Sequence, residues 1–391
     1  MGDRGASGDR PFGQAARSAF RLDDDLIFLN HGSFGAVPGA VIDAQDEWRR
    51  LVERQPVDFM TRRRQPALDA ARARLAGFIG GGDGRLAFVD NASAGINAVL
   101  RSIEWRPGDG ILFLGHAYGA VRQALNFIAD RHGAVLTEVP LELPVAGPDT
   151  VLDAVSTALR PGLRLAVLDH ITSPSALLLP IRDMIALCHD AGLRVLVDGA
   201  HAPGMVDLDV AALGADWYAG NCHKWLFAPK GCGFLWARAD RVEGLHPTVI
   251  SHGYGQGFEA EFDWTGTRDF SAWLAVTAAI DFIEDQGVAA IRDHTHGLAR
   301  DQAARLADVW GTAVAGPPEM IAAMAAIRLP GERPGTWEAA DAINDELWGR
   351  HRIEVPIRAL DGSLWVRISA QIYNSPDEYA ALDEAVSALP S

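Results

Sequence analysis

Lysine is almost missing from this 391-residue sequence. Of the 35 Lys and Arg side chains, Lys224 and Lys230 are the only lysines, so the other 33 are arginines. Arginine replaces lysine as a surface charge but stays protonated at any workable pH, whereas a lysine amine becomes a nucleophile when it is desolvated or placed near another charge. Both lysines lie in GNCHKWLFAPKG, residues 220–231, which is therefore a candidate reactive site. For Lys230, a surface charge is an equally good interpretation.

The sequence also lacks an excess of positive charge. The formal net charge is −16 and the isoelectric point is about 5.1. No stripe of basic and aromatic residues appears, and these features together argue against a nucleic-acid-binding surface. The one locally basic run, Arg62–Arg64, is typical of a solvated helix face.

Cysteine is scarce, and long apolar runs are missing. Cys188, Cys222 and Cys232 are an odd number of thiols without CxxC spacing, which predicts neither a disulfide framework nor a zinc site and favours the reducing cytoplasm. No stretch is long enough to span a membrane. Residues 1–20 are rich in Gly, Arg and Ser and lack the apolar core of a signal peptide, so we predict a flexible tail there.

The sequence does contain a regular alternation of short apolar runs and helical patterns. From about residue 85, the runs LAFVD, ILFLG, RLAVLDH and RVLVDG alternate with amphipathic stretches. This alternation predicts an α/β fold with a mostly parallel sheet covered by helices on both faces. After Phe270, long helical patterns lead into IEVPIRAL and SLWVRIS. We therefore predict a large domain over residues 21–270 and a smaller α+β domain over residues 271–391, to which residues 21–45 contribute.

Polar residues follow the predicted strands, at the edge where an open parallel sheet binds its ligands. In chain order, the ends of five strands supply residues 90–93, then His116 and Tyr118, then His170, Thr172 and Ser173, then Asp198 and His201, then Asn221–Lys224. An imine-forming lysine requires a carbonyl partner. Together with a carboxylate, an anion site and an aromatic group, it indicates pyridoxal phosphate (PLP) as cofactor.

Each chemical demand of that cofactor has a candidate residue. Asp198 would keep the pyridine nitrogen protonated, because an adjacent anion favours a cation. Ser93 begins a predicted helix and would bind the phosphate there, although N-capping explains this serine equally well. The groups near the ring and its phenolic oxygen would be Tyr118 or His116, His201 and Thr172.

Seven motifs between about residues 28 and 375 carry a resemblance to known proteins. They are LNHGSFGAVP, VDNASAGIN, HAYGAVRQAL, VDGAHAPG, GNCHKWLFAPKGCGFLW, TGTRDFSAW and VRISAQIYN. Together they resemble the fold-type I, PLP-dependent class V aminotransferase-like family, most closely isopenicillin N epimerase-like proteins. The resemblance implies the PLP-dependent transferase fold, with a seven-stranded sheet in the large domain.

The resemblance also implies which residues bind the cofactor. Lys224 would hold it as a Schiff base, and Asp198 would pair with the pyridine nitrogen. Tyr118 would stack on the ring. The phosphate would be bound by Ser93, the backbone of Ala92, Asn221 and His223.

Substrate and subunit contacts are implied in the same way. Arg367 in VRIS would bind the α-carboxylate of an amino-acid substrate through its planar fork, with Asn30 nearby. Thr267 in TGTRD would reach the phosphate bound by the other subunit. This arrangement implies a homodimer with shared active sites.

Several reactions begin with removal of the α-proton of an amino acid, and Lys224 would be the base in each. The resemblance favours epimerisation or racemisation first, a C–S lyase acting on a sulfur-containing amino acid second, and transamination third. Cysteine desulfurases of this class need a nucleophilic cysteine in their C-terminal part, and none follows Cys232. Epimerisation needs an acid on the face opposite Lys224, which Tyr118 or His116 would supply.

Two other classes of protein are disfavoured. A metalloenzyme would use the histidines of DHTH, residues 293–296, but residues two apart on a predicted helix point away from each other, so we predict no metal site. A binding protein without turnover would have no need of a reactive lysine.

Overall fold

The computed structural model describes residues 12–389. Within this range there are twelve strands: β1 (Ile27–Phe28), β2 (Arg85–Val89), β3 (Gly110–Leu114), β4 (Val135–Val139), β5 (Leu163–Asp169), β6 (Arg194–Gly199), β7 (Trp217–Asn221), β8 (Gly233–Ala237), β9 (Met324–Arg328), β10 (Ile353–Glu354), β11 (Ile357–Leu360) and β12 (Ser363–Ser369).

The same range contains fifteen α-helices: α1 (Gln14–Arg17), α2 (Gly39–Arg54), α3 (Pro56–Asp58), α4 (Arg64–Phe78), α5 (Ala92–Ser102), α6 (Gly119–His132), α7 (Pro148–Ala158), α8 (Ile181–Asp190), α9 (Val210–Leu213), α10 (Phe258–Asp263), α11 (Ser271–Leu274), α12 (Val276–Gln286), α13 (Val288–Trp310), α14 (Trp337–His351) and α15 (Pro376–Ser387). A π-helical segment, Phe59–Arg63, joins α3 to α4. No helix in the described part of the chain combines the length and the apolar character needed to cross a membrane.

Seven strands form the central sheet, in the order β2-β8-β7-β6-β5-β3-β4. The pairs from β7 through β6, β5 and β3 to β4 are parallel, and β8 is antiparallel to both of its neighbours. The predicted mostly parallel, seven-stranded sheet is therefore confirmed.

Both faces of this sheet are buried. Along β3, Leu112 and Leu114 pack into one hydrophobic cluster, whereas Ile111 and Phe113 pack into another. Successive side chains of a strand point to opposite faces, so a continuous apolar run predicts a strand covered on both sides. Helices α5 and α6 contribute to the cluster on one face, and α7 and α8 to the cluster on the other.

A second, antiparallel sheet, β11-β12-β9, lies in the C-terminal part of the chain. Residues of α13, α14 and α15 form a third hydrophobic cluster with it. Strand β1 pairs in parallel with β10, which brings residues from near the N-terminus to the C-terminal part. The division into domains at residue 270 stays a prediction.

Part of the segment predicted to be a flexible tail, residues 1–20, is helical or packed against the rest of the chain. Residues 1–11 lie outside the described residues. Residues 14–17 form α1, and Phe20 is only 6% exposed, with its ring centroid 4.7 Å from that of Tyr373. The composition of this segment, rich in small and polar residues, does not indicate that the ring of Phe20 is buried. Burial of an aromatic ring favours an ordered segment.

Replacing Phe20 by alanine is expected to lower the free energy of unfolding by about 3 kcal/mol, because the change leaves a cavity among aromatic rings. Urea denaturation of the variant and of the wild type measures this difference. Phe127→Ala is the control, since Phe127 is 38% exposed and its loss should cost less than about 1 kcal/mol. Equal losses for both variants would contradict the role of Phe20 as an anchor.

Candidate active site

A cavity of about 420 Å³ lies at the carboxyl ends of the parallel strands. This is the edge at which the topology of an open α/β sheet places ligands. Nine of the residues predicted from the sequence line it: Ala92, Ser93, Tyr118, Asp198, His201, Asn221, His223, Lys224 and Arg367.

Three predicted site residues do not line the cavity. Thr172 is buried in a turn, where its hydroxyl lies 2.7 Å from that of Ser175 and accepts a hydrogen bond from the backbone N–H of Leu177. Asn30 lines a neighbouring cavity, and its Oδ1 accepts a hydrogen bond from Nη2 of Arg367 at 3.2 Å. Thr267 is exposed and outside the cavity of its own chain.

The structure separates the two candidates for a ring-stacking group. Tyr118 lines the cavity and is 46% exposed. His116 is buried beside it, outside the cavity lining, with Nδ1 3.0 Å from the hydroxyl of Ser175. Burial lowers the pKa of His116, so this ring is neutral at pH 7. Geometry therefore favours Tyr118.

Lys224 has an environment that disfavours its charged form. Burial and the positive charge of Arg367 lower the pKa of its amine, and the carboxylate of Asp198 opposes them, so that the pKa falls from 10.5 to about 7. The Nζ atom lies 3.2 Å from Nε2 of His201. A large fraction of the amine is neutral near pH 7 and can act as a nucleophile or a base.

The local chain fixes the position of Lys224 just after β7. Nε2 of His31 lies 3.0 Å from the backbone oxygen of Lys224. Gly204 approaches the next residue so closely that a Cβ atom there would lie 2.4 Å from the carbonyl oxygen of Trp225. Gly204 also has a positive φ of 86°, which glycine adopts without strain. Gly204, the last residue of DGAHAPG, thus permits the close backbone contact that helps to fix the position of Lys224.

Two carboxyl groups lie side by side at the ends of β5 and β6. Asp169 and Asp198 are partners in the parallel register, and both line the cavity although their side chains are almost fully buried. Asp198 accepts a hydrogen bond from the backbone N–H of Ala200. Burial raises the pKa of both carboxyl groups, and repulsion by Asp198 raises that of Asp169 further. Two negative charges at this buried position would repel each other, so the pair is stable only if a cation lies next to it or the two carboxyl groups share a proton.

The beginning of α5 forms one wall of the cavity. The N-cap residue is Asn91, whose side chain accepts a hydrogen bond from the backbone N–H of Ala94, so Ser93 is not the cap. The backbone N–H of Ala92 donates to Oδ1 of Asn221 at 2.8 Å. Because Asn91 caps the helix, the hydroxyl of Ser93 is available at a helix N-terminus, where anions are stabilised.

His223 completes this wall next to Lys224. Its Nδ1 lies 2.9 Å from the carbonyl oxygen of Cys232, so Nδ1–H is the donor and Nε2 is available to a ligand. Burial, and then the charge of Lys224, lower the pKa of His223 to about 4. The imidazole is neutral at pH 7.

Arg367 on β12 forms the opposite wall. Its Nη1 atom donates to the carbonyl oxygen of Ser173 at 2.6 Å, and Nη2 donates to Ser33 at 2.8 Å and to Asn30 at 3.2 Å. Burial and the charge of Arg358 lower its pKa to about 9, so it keeps its charge at pH 7. Polar side chains thus hold the guanidinium in one orientation, as a specific anion site requires.

Sequence reasoning missed three polar or charged residues of the cavity lining, Ser33, Asp169 and Arg358, and it left Lys230 equally well explained as a surface charge. Asp169 is the last residue of β5, next to predicted residues, and the strand-end rule could have included it. Arg358 and Ser33 come from distant parts of the chain and carried no local signal. Lys230 is exposed at the cavity mouth, where its Nζ donates to the carbonyl oxygen of Gly35.

Comparisons with known proteins identify the family and the fold. Residues 33–382 match the family model of the class-V aminotransferases. A putative L-cysteine desulfhydrase of Oryza sativa is 37% identical over 92% of this chain and 82% of its own length. Isopenicillin N epimerase of Amycolatopsis lactamdurans is 36% identical over 96% of this chain and 98% of its own length.

A solved structure shares the fold. A variant of C-DES with glycine covalently linked to its PLP cofactor superposes with a TM-score of 0.83, at 20% identity, over 96% of this chain and 99% of its own. At that identity the similarity shows the fold, which is the predicted PLP-dependent fold type I. The family model covers most of the sequence, and the chain belongs to the class-V aminotransferase family.

Proposed function

We propose that this protein is a PLP-dependent enzyme that removes the α-proton of an amino acid and returns a proton on the other face, as an epimerase or racemase. The observation that carries the proposal is the pairing, in one cavity, of an amine with a pKa near 7 and a buried carboxylate. The family membership and the named epimerase relative support it.

The residues of the cavity fit this cofactor. Asp198 is a nearly buried acid that faces the cavity and needs a cationic partner, such as a protonated pyridine nitrogen. Lys224 supplies the amine for the aldehyde. The phosphate would be held by Ser93, Asn221, His223 and the N-terminus of α5. When bound, PLP supplies an electron sink beside the α-carbon.

Arg367 would bind and orient the substrate. Nη2 already donates to Ser33 and Asn30, so an α-carboxylate held by two parallel hydrogen bonds would have to displace one of these partners. The Nε atom of Arg367 is buried and has no partner among the described residues, so it can donate to a ligand. A carboxylate there would offset the cost of a buried positive charge.

Lys224 would take the α-proton at Nζ. Transfer is efficient when the pKa of the base is close to the working pH, and burial brings the pKa of this amine to about 7. Tyr118 would deliver a proton from its hydroxyl to the opposite face of the α-carbon. It reaches the cavity from the turn between β3 and α6, whereas Lys224 follows β7.

C–S lyase chemistry on a sulfur-containing amino acid is the second candidate. The relatives named L-cysteine desulfhydrases favour it, at 37% identity and below. It needs the same α-proton removal by Lys224 but no acid on the opposite face. Transamination is the third candidate. Transfer of sulfur to a protein cysteine is disfavoured, because all three cysteines are buried and none lines the cavity.

A homodimer with shared active sites is part of the proposal. Thr267 is exposed and lies outside its own cavity, as a residue that serves a partner subunit would. The adjacent Arg268 forms an ion pair with Asp90 at the cavity rim, which would keep the Thr267 segment close to that rim. We also retain the cytoplasm as the proposed location, on the three unpaired cysteines alone.

Borohydride reduction of protein supplied with PLP is expected to leave a pyridoxyl group on Lys224, because its neutral amine condenses with the aldehyde. Peptide mass mapping locates the group. Lys230→Arg should keep the adduct and Lys224→Arg should lose it. An adduct at Lys230 or at the chain terminus, or no adduct in wild-type protein, would contradict the proposal.

Tyr118→Phe is expected to slow inversion of a single-enantiomer amino acid by about 100-fold, because it removes a general acid, while exchange of the α-proton by Lys224 continues. Chiral chromatography and mass spectrometry of amino acids recovered from deuterated water measure both. His116→Asn is the control and should invert as the wild type does. Release of sulfide and pyruvate from cysteine, without inversion of any amino acid, would identify the lyase instead.

A further inference from the structure

Three side chains form a hydrogen-bonded series that ends on the reactive amine. The indole Nε1–H of Trp225 donates to Nδ1 of His201 at 3.2 Å. Nε2 of the same imidazole lies 3.2 Å from Nζ of Lys224. Trp225 and His201 are each 2% exposed, so water does not compete for these bonds.

The indole fixes the direction of both hydrogen bonds. An indole nitrogen can only donate, so Nδ1 of His201 must accept. Burial holds the pKa of His201 well below its ordinary value, so the ring is neutral and carries its one proton on Nε2. Nε2–H therefore donates to Nζ, and an ammonium group has no lone pair with which to accept.

We propose that Trp225 is a positioning residue that acts through His201 to hold the Lys224 amine in its neutral form. This inference rests on the proposed function in one respect, namely that Lys224 is the amine that reacts with the cofactor. The opposite arrangement, an ammonium donating to Nε2, would put a proton on Nδ1 directly against the indole N–H. Two donors would then face each other in a buried site, which is costly.

Neighbouring residues hold Trp225 in place. The charges that shift the pKa of Lys224 come from other residues. The indole ring packs 4.9 Å from the ring of His31, and the Trp225 carbonyl is held against Gly204. The charged groups that act on the Lys224 amine are Arg367, which lowers its pKa, and Asp198, which raises it. The other titratable rings next to His201 are His223 and His31, and burial lowers the pKa of both.

Trp225→Phe should raise the pKa of the Lys224 amine by about one unit from its wild-type value of about 7, because the neutral form loses a fixed donor. Trace acetylation of the full-length chain, freed of cofactor and labelled at a series of pH values, gives the pKa of each amine by peptide mass mapping. The chain has two lysines and one α-amine, so every label can be assigned. Lys230 is the internal reference and should not shift.

Two further variants distinguish the effect of the hydrogen-bonded series on the Lys224 pKa from the effect of lost packing. Trp236→Phe is the matched control, because that buried indole donates to the carbonyl oxygen of Gly81, and it should leave the Lys224 pKa unchanged. His201→Gln supplies an amide NH₂ that donates to Nζ without an indole. In that background Trp225→Phe should produce no further shift, a non-additivity that only a connected series predicts.

The tautomer of His201 can also be read in the wild type, which keeps the proposal testable if Trp225→Phe does not fold. Long-range ¹H–¹⁵N spectra distinguish Nε2–H from Nδ1–H, and His201→Gln assigns the signal. A proton on Nδ1, or a Lys224 pKa that falls or stays constant in Trp225→Phe, would overturn the proposal. Borohydride mapping of the same variants with PLP tests the cofactor assignment separately, since an adduct on Lys224 forms whether or not Trp225 sets the pKa.

Discussion

Desolvation of one amine is the constraint on which the rest of the site depends. An exposed lysine near pH 7 is almost fully protonated, and protonated nitrogen neither attacks a carbonyl nor removes a proton. In this protein, burial and the charge of Arg367 act against the ammonium form of Lys224, while Asp198 limits the effect. A chain that uses arginine elsewhere for positive charge needs a lysine here, because no environment in a protein neutralises a guanidinium readily.

The two sheets contribute charges of opposite sign to the cavity. The acids Asp169 and Asp198 end strands β5 and β6 of the central sheet, whereas Arg358 and Arg367 lie on β11 and β12 of the C-terminal sheet. The segment 30–36 joins the two sides, because His31 contacts the backbone of Lys224 and Ser33 bonds Arg367. The distance between acid and guanidinium is therefore set by packing between two parts of the chain.

This division explains how much of the site the sequence predicts. Residues at strand ends were found because apolar runs locate the strands and parallel topology brings their carboxyl ends to one edge. The rule identifies a strand end and not a single side chain, so it selects both Thr172, which closes a turn, and Ser173, which lines the cavity, and it passes over Asp169. Arg367 was recognised by its motif. Arg358 was missed because strand pairing within the C-terminal sheet has no local signature.

Because its histidines are neutral, the polarity of the cavity comes from its other ionisable residues. His201 and His223 carry little charge at pH 7, because burial lowers the pKa of both. The ionisable groups that remain in the lining are the guanidinium groups of the C-terminal sheet, the carboxyl groups at the strand ends of the central sheet, and the amines of Lys224 and Lys230. A ligand with a carboxylate at one end and a protonated ring nitrogen at the other is stabilised in one orientation and opposed in the reverse one. For the proposed substrate and cofactor, that orientation would place the α-carbon within the cavity that Lys224 and Tyr118 line, where the proposed removal of the α-proton would take place.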